Sequence, residues 1–195
     1  MTPILFSMLS PSDLESNLIS NLRRMHPKLE PLIQNEVKKL LDARIIFKVR
    51  HSEWVSNLVL VRKKSGEIRL CVDFRNLNRA SDKDNYPVPP MEQILQMVSG
   101  SKLFSLLDGF SSYNQVLVTK EDMLKTTFQT RWGNFAYRRM PFGLINTRDT
   151  FQRAMDIAFH GLIGHSAVVY LDDITIFSKK REEHAFNLKH IFECC

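Results

Sequence analysis

Asp172 and Asp173 stand side by side between two apolar runs, Ala167 to Tyr170 and Ile174 to Phe177. Adjacent carboxylates at a tight turn between apolar strands are costly, because like charges repel and each loses water. A divalent cation offsets both costs. Mg²⁺ takes a few carboxylate oxygens and keeps positions open for substrate phosphates, so a third carboxylate from another strand completes the set. Asp108 fits, as the last residue of the short buried strand expected over Leu103 to Asp108. Two such ions, Mg²⁺ or in its place Mn²⁺, would activate an attacking hydroxyl and stabilise a leaving pyrophosphate in an in-line displacement. The plainer reading is a polar turn, since Asp is a common turn residue. An aromatic-x-Asp-Asp string such as Tyr170 to Asp173 arises by chance in roughly one chain of this size in twenty. Its pairing with a second acidic strand end, and with a basic hairpin, makes the signal specific.

That hairpin is the second chemical feature. Asn57 to Lys63 and Glu67 to Asp73 are β-rich runs separated by Lys64, Ser65 and Gly66, with basic residues crowding the tip. Lys as a point charge and Arg as a forked donor suit phosphate oxygens. Between Glu36 and Arg79 there are 11 Lys or Arg against 5 Asp or Glu, an excess equal to the formal net charge of the whole chain, +6. A local basic surface suits a polyanion through counterion release, although a solvated surface of the same charge is the simpler alternative.

The elements that must position these residues follow from periodicity and punctuation. Leu29, Leu32, Ile33, Val37, Leu40 and Leu41 recur at helical spacing and predict a helix ending near Arg44. Three prolines between Tyr86 and Pro90 require an extended connection. A helix from Met91 to Val98 follows, stopped by Gly100. Phe151, Ala154, Met155, Ala158, Phe159 and Leu162 form an apolar helical stripe with Asn146 and Thr147 available as caps. The segment from Lys180 to Phe192 reads as a last helix. Residues 1–22 show little periodicity and read as a linker or disordered lead-in. The order of helices and hairpins predicts an α+β fold with a mostly antiparallel sheet.

At 195 residues, 44% hydrophobic and 25% charged, the chain is long enough for one core or two small subdomains and too ordinary in composition for a disordered or fibrous protein. No apolar run approaches the roughly 18 residues of a membrane span, and no export signal is evident, so an intracellular protein with no membrane partner is expected. Cys71, Cys194 and Cys195 lack metal-ligand spacing and read as free thiols.

Read in order, LVLVRKKSGEIRLCVDFRNLN, YPVPP, FSLLDGFSSYNQV, KTTFQTRWGNFAYRRMPFGLIN, TFQRAM and VVYLDDITIFSK resemble the reverse transcriptase of gypsy-type long-terminal-repeat retrotransposon polyproteins, especially those of plants. The resemblance runs from about Arg23 to the C-terminus. It implies the fingers and palm of a right-hand polymerase over residues 23–195, fingers mainly over 45–85 and palm over 86–195, stopping before a thumb and ribonuclease H domain. It implies an RNA-directed DNA polymerase, with RNA or DNA template, primer and deoxynucleotides as partners. A dimer, or the remainder of a Gag-Pol polyprotein, is a further expected partner, in the cytoplasm within a virus-like particle or in the nucleus.

Residue by residue, Asp108, Asp172 and Asp173 match the family's catalytic metal-binding triad. Tyr113 matches the aromatic that favours deoxynucleotides, Lys63 and Arg69 the triphosphate holders, with Lys64 the alternative to Lys63, and Phe142 with Gly143 the segment beside the nascent base pair. Gln115 and Gln152 are supporting candidates, Arg75 and Asn76 are read as fixing the fingers, and Trp54 and Trp132 as packing. After MPFGL the family carries small residues where this chain has Arg148 and Asp149, and Ser112 replaces a common glycine. An inactive relic or a nucleic-acid-binding module is therefore the alternative. Another two-metal enzyme with a palm-like fold, such as a nucleotide cyclase, would share the carboxylates without the hairpin or Tyr113.

Overall fold

The computed structural model describes residues 5, 6, 8, 26–62, 68–108, 112–170 and 173–194, with backbone alone at 5, 62, 108 and 112. In chain order the elements are β1 (Leu5–Phe6), α1 (Glu30–Asp42), β2 (Ile46–Val49), β3 (Ser56–Arg62), β4 (Ile68–Val72), α2 (Arg75–Ala80), α3 (Met91–Val98) and β5 (Leu103–Asp108). They continue with β6 (Leu117–Val118), α4 (Lys120–Met123), β7 (Phe128–Thr130), β8 (Gly133–Tyr137), α5 (Thr147–Ala158), β9 (Ala167–Tyr170), β10 (Asp173–Ser178) and α6 (Arg181–Cys194). The expected hairpin is present as β3 and β4, paired antiparallel from Leu58↔Val72 to Arg62↔Ile68. Helix α3 and strand β5 have the bounds that their sequences predict, and Gly100 takes the positive φ of 76° expected of a helix stop.

Two units divide the chain, residues 1–83 with 113–147, and residues 84–112 with 148–195. The chain crosses between them after residues 83, 112 and 147, so that 113–147 belongs with the first unit. The reason is strand pairing: β8 lies antiparallel to β2, and β7 pairs parallel with β3, closing a five-stranded sheet in the order β2-β8-β7-β3-β4. Its core gathers Phe128, Phe135 and Tyr137, all buried, with Phe128 5.8 Å from Phe135 and 5.5 Å from Tyr137 between ring centroids.

Within residues 1–22, read from sequence as a lead-in, Leu5–Phe6 forms a short strand parallel to Leu117–Val118. Phe6 and Met8 are buried, and the Met8 N–H donates to Asp122 Oδ2 at 2.6 Å. The remainder of that stretch lies outside the described residues. Asp122 is itself buried and also accepts from Lys125 Nζ at 2.7 Å and Thr119 Oγ1 at 2.8 Å. Burial pushes its carboxyl upward, but the donors from Lys125, Met8 and Thr119 outweigh it and hold the carboxyl below its ordinary value of 3.8. A depressed folded-state value stabilises the protein above the unfolded value, and that contribution is lost as pH falls through the folded one. Asp122→Asn is therefore expected to lower stability at neutral pH by about 1.5–3 kcal/mol. Denaturant titrations of both proteins should converge as pH falls below about 3.8.

The second unit is built on a three-stranded antiparallel sheet in the order β5-β10-β9. Ala167, Val168 and Val169 of β9 and Ile174, Ile176 and Phe177 of β10 are buried. On one side Ile94 of α3 packs with Val168 and Phe177. Helix α6 docks through buried His184, whose two ring nitrogens each lie 2.9 Å from a hydroxyl, Ser105 of β5 and Ser178 of β10.

Candidate active site

Strands β5 and β10 bring two of the three predicted acidic positions together. Their register pairs Asp173 with Asp108, and the same Asp173 pairs with Tyr170 on β9. Residues 65 positions apart in sequence thus meet at the matched ends of two strands. The buried face lies on β10, with Ile174, Ile176 and Phe177, whereas β5 is not the buried strand its sequence predicts: Phe104 and Leu106 are 50% and 78% exposed, because alternate residues of an outer strand point away from the core. Like charges directly opposite on antiparallel strands are destabilising. Asp173 is exposed, which leaves its carboxylate open to solvent and to ions. Asp172 lies outside the described residues. Among the described residues no group of three or more His, Cys, Asp or Glu side chains forms a metal cluster.

The first unit assembles three of the four predicted nucleotide-binding residues. Tyr113 is buried, with its ring edge-on to Phe142 at 4.6 Å and 84°. The Arg69 guanidinium carbon lies 5.6 Å from the centroid of the same Phe142 ring, within cation–π distance. Phe142 is 48% exposed and so presents its ring outward while bridging the other two. These side chains come from β4, from the start of the segment 112–118 and from the loop before α5, a juxtaposition that only the sheet creates. Lys63 lies outside the described residues. Lys38, Arg44, Lys48, Arg50 and Arg138 are among the exposed basic residues of this unit.

One positioning residue escaped the sequence reading. Asn78 donates through Nδ2 to the Gly143 carbonyl at 2.8 Å, and its Oδ1 accepts from the Ile145 N–H at 2.9 Å. It clamps both sides of the turn that presents Phe142. Gly143 has φ 97°, a conformation that favours glycine. No local signal distinguishes Asn78 from any other polar residue on a short helix; its neighbours 65 and 67 positions away supply its role.

The remaining candidates sort by contact. Arg75 makes a forked pair with Asp73, Nε to Oδ1 at 2.8 Å and Nη2 to Oδ2 at 2.7 Å, a local brace of the kind expected for a residue that fixes its own segment. Trp54 is buried, in accord with packing, and Trp132 is partly buried. Gln115 is exposed and its carbonyl accepts from Arg139 Nη1 at 2.9 Å. Gln152 is buried in the second unit, where its amide donates to Asp156 Oδ1 at 3.0 Å. Arg148 is exposed and Asp149 sits in the first turn of α5, where a negative charge suits the helix dipole. Asn146 Nδ2 donates to the Asp82 carbonyl at 2.9 Å and Thr147 Oγ1 to the Pro141 carbonyl at 3.2 Å, ties to the preceding chain at the start of α5.

The architecture is that of reverse transcriptases. The prototype foamy virus protease–reverse transcriptase superposes with a TM-score of 0.86 at 20% identity, over 100% of this chain and 25% of that one. A foamy viral protease–reverse transcriptase in complex with an RNA/DNA hybrid superposes at 0.83 with 20% identity, over 96% of this chain and 25% of that one. The family model described as reverse transcriptase (RNA-dependent DNA polymerase) matches residues 61–195. The chain belongs to the reverse transcriptase family. It is 36% identical over 180 residues, 88% of this chain, to the retrovirus-related Pol polyprotein from transposon gypsy of Drosophila melanogaster. An RNA-directed DNA polymerase homolog of Oenothera berteroana is 38% identical over 129 residues, 65% of this chain and 91% of that protein. The chain spans 17% of the gypsy polyprotein, so the resemblance concerns one part of a much longer protein.

Proposed function

We propose that this chain carries the nucleotidyl-transfer centre of an RNA-directed DNA polymerase from a retrotransposon polyprotein, joining a deoxynucleotide to a primer 3′-hydroxyl opposite an RNA or DNA template. The observation that carries the reading is the register of Asp173 with Asp108 at the ends of paired strands. Carboxylates borne at register-paired strand ends would offer hard oxygen donors, which suit Mg²⁺ or Mn²⁺. Asp108, Asp172 and Asp173 would hold the ions, which when bound supply charge neutralisation at the phosphates and a more acidic primer hydroxyl.

The chain's own groups do the positioning. Arg69, a permanent cation with a forked donor array, meets the triphosphate together with Lys63. Phe142 offers an exposed aromatic face to the nascent base pair, and Tyr113, wedged edge-on behind it, limits the room beside the sugar and so disfavours a 2′-hydroxyl. Both assignments draw support from the Arg69–Phe142–Tyr113 stack. The exposed basic residues of the first unit hold template by phosphate contacts, whose affinity falls steeply with salt.

Primer extension on an RNA template with Mg²⁺, run beside Asp172→Asn, tests the proposal. Incorporation of deoxynucleotide that disappears in the variant supports it. Equal retention of labelled template by both proteins with no extension by either supports instead a nucleic-acid-binding relic, the reading that the charged pair Arg148 and Asp149 favours.

A further inference from the structure

Helix α3, the extended run before it, the end of α5 and strand β9 enclose a groove of 510 Å³ within the second unit, a size that accommodates a small organic molecule. Its walls are mostly apolar, with Pro87, Val88, Ile94, Met97, Ile163 and Val169 among them. Four polar residues interrupt that lining: Gln93 and His160, both exposed, and Gln152 and Asp156, which lie one helical turn apart. Gln152 is 2% exposed. Its Nε2 donates to Asp156 Oδ1 at 3.0 Å, which fixes the amide, since the flipped form would set two oxygens against each other. Gln152 Oε1 is thereby left without a hydrogen-bond partner among the described residues. An orphaned buried acceptor costs about 1–3 kcal/mol and calls for a donor.

Asp156 is half-buried and accepts from the Tyr86 hydroxyl at 2.6 Å. Among the described residues no Lys or Arg pairs with it. The neighbouring cation is committed elsewhere: Arg153 Nη2 reaches both oxygens of Asp84, at 3.1 and 2.8 Å, while its guanidinium lies 4.6 Å from the centroid of the Tyr86 ring. The groove therefore combines apolar walls, one carboxylate without a counter-cation and one carbonyl oxygen without a donor. We propose that it is a binding site for a small organic cation, an apolar body bearing an amidinium or primary ammonium group. One N–H meets Gln152 Oε1 and another meets the Asp156 carboxylate, and anionic ligands of the same shape are excluded by Asp156.

Benzamidinium is a suitable probe, titrated into the full chain while the side-chain amide resonances of Gln152 are followed by NMR, with benzoate as the matched anion. The expected result is saturable benzamidinium binding that weakens at least about tenfold in Asp156→Asn, the equivalent of about 1.4 kcal/mol, with no saturable response to benzoate. Gln93→Trp, at an exposed position lining the groove, fills the space without touching the core and should abolish binding with an unchanged melting temperature. That second variant decides the matter if Asp156→Asn does not fold. Equal binding to the wild type and to Gln93→Trp, equal binding of benzoate, or no saturation by about 10 mM, ten times a weak-fragment Kd of about 1 mM, would overturn the proposal.

Discussion

Asp173→Asn is expected to remove nucleotide incorporation by about a thousandfold or more while leaving the metal-free chain at least as stable as the wild type. The two halves of this result have one cause. Asp173 is in register with Asp108 across the β5–β10 pair, and like charges at directly opposed positions on antiparallel strands cost about 0.2–1 kcal/mol. Neutralising one of them relieves that cost when no cation is present. With a divalent ion bound the sign reverses, because the ion stabilises whichever protein binds it, by about 2.7 kcal/mol at a hundred times its Kd. Thermal melts in chelator should therefore place the variant level with or above the wild type, and Mg²⁺ should raise the wild type alone. The activity loss follows from the charge stabilisation of several kcal/mol that a bound ion supplies at the reacting phosphate. A variant that loses incorporation and also melts well below the wild type in chelator would mean that Asp173 is a structural residue.

The largest effect on stability is expected from Phe128→Ala. Phe128 is 1% exposed, stands opposite Phe135 in the β7–β8 pair and touches both Phe135 and Tyr137. Removing a buried aromatic costs the transfer free energy of its atoms plus the cavity left behind, about 3–5 kcal/mol. For a domain whose whole stability is about 5–15 kcal/mol that is a large share, and for a chain of this length it corresponds to a fall in Tm of about 6–20 °C. Leu95→Ala, at a position 60% exposed on α3, should stay within about 0.5 kcal/mol. Tyr137 sharpens the contrast: burial holds its phenol in the neutral form, well above its ordinary value, so this cluster has no titratable weakness across the physiological range. Near-equal denaturant midpoints for Phe128→Ala and Leu95→Ala would show that the five-stranded sheet does not limit the stability of the chain.

The elements near the acidic positions were legible in the residues because their signals are local. Gly100 ends α3 where a left-handed residue is needed, the three prolines between Tyr86 and Pro90 keep that stretch extended, and the two apolar runs around Asp172 and Asp173 can form only a hairpin core. Phe6 and Met8 were not legible, since a two-residue strand has no periodicity and its partners lie more than a hundred residues away at Leu117, Val118 and Asp122. The return of 113–147 to the first unit was invisible for the same reason: nothing in the string Phe128 to Tyr137 says that its partners are β2 and β3.

By itself the sequence determined the types of element, their order, the α+β class, and the acidic, basic and aromatic residues that mark the family, because propensity, alternation and turn chemistry act over a few neighbouring residues. The tertiary structure alone decided which of those residues meet: Asp173 with Asp108, Arg69 with Phe142 and Tyr113, and Gln152 with Asp156 beside an apolar groove. Strand register and the burial of side chains from remote segments are set by packing across the whole unit, and no local pattern encodes them.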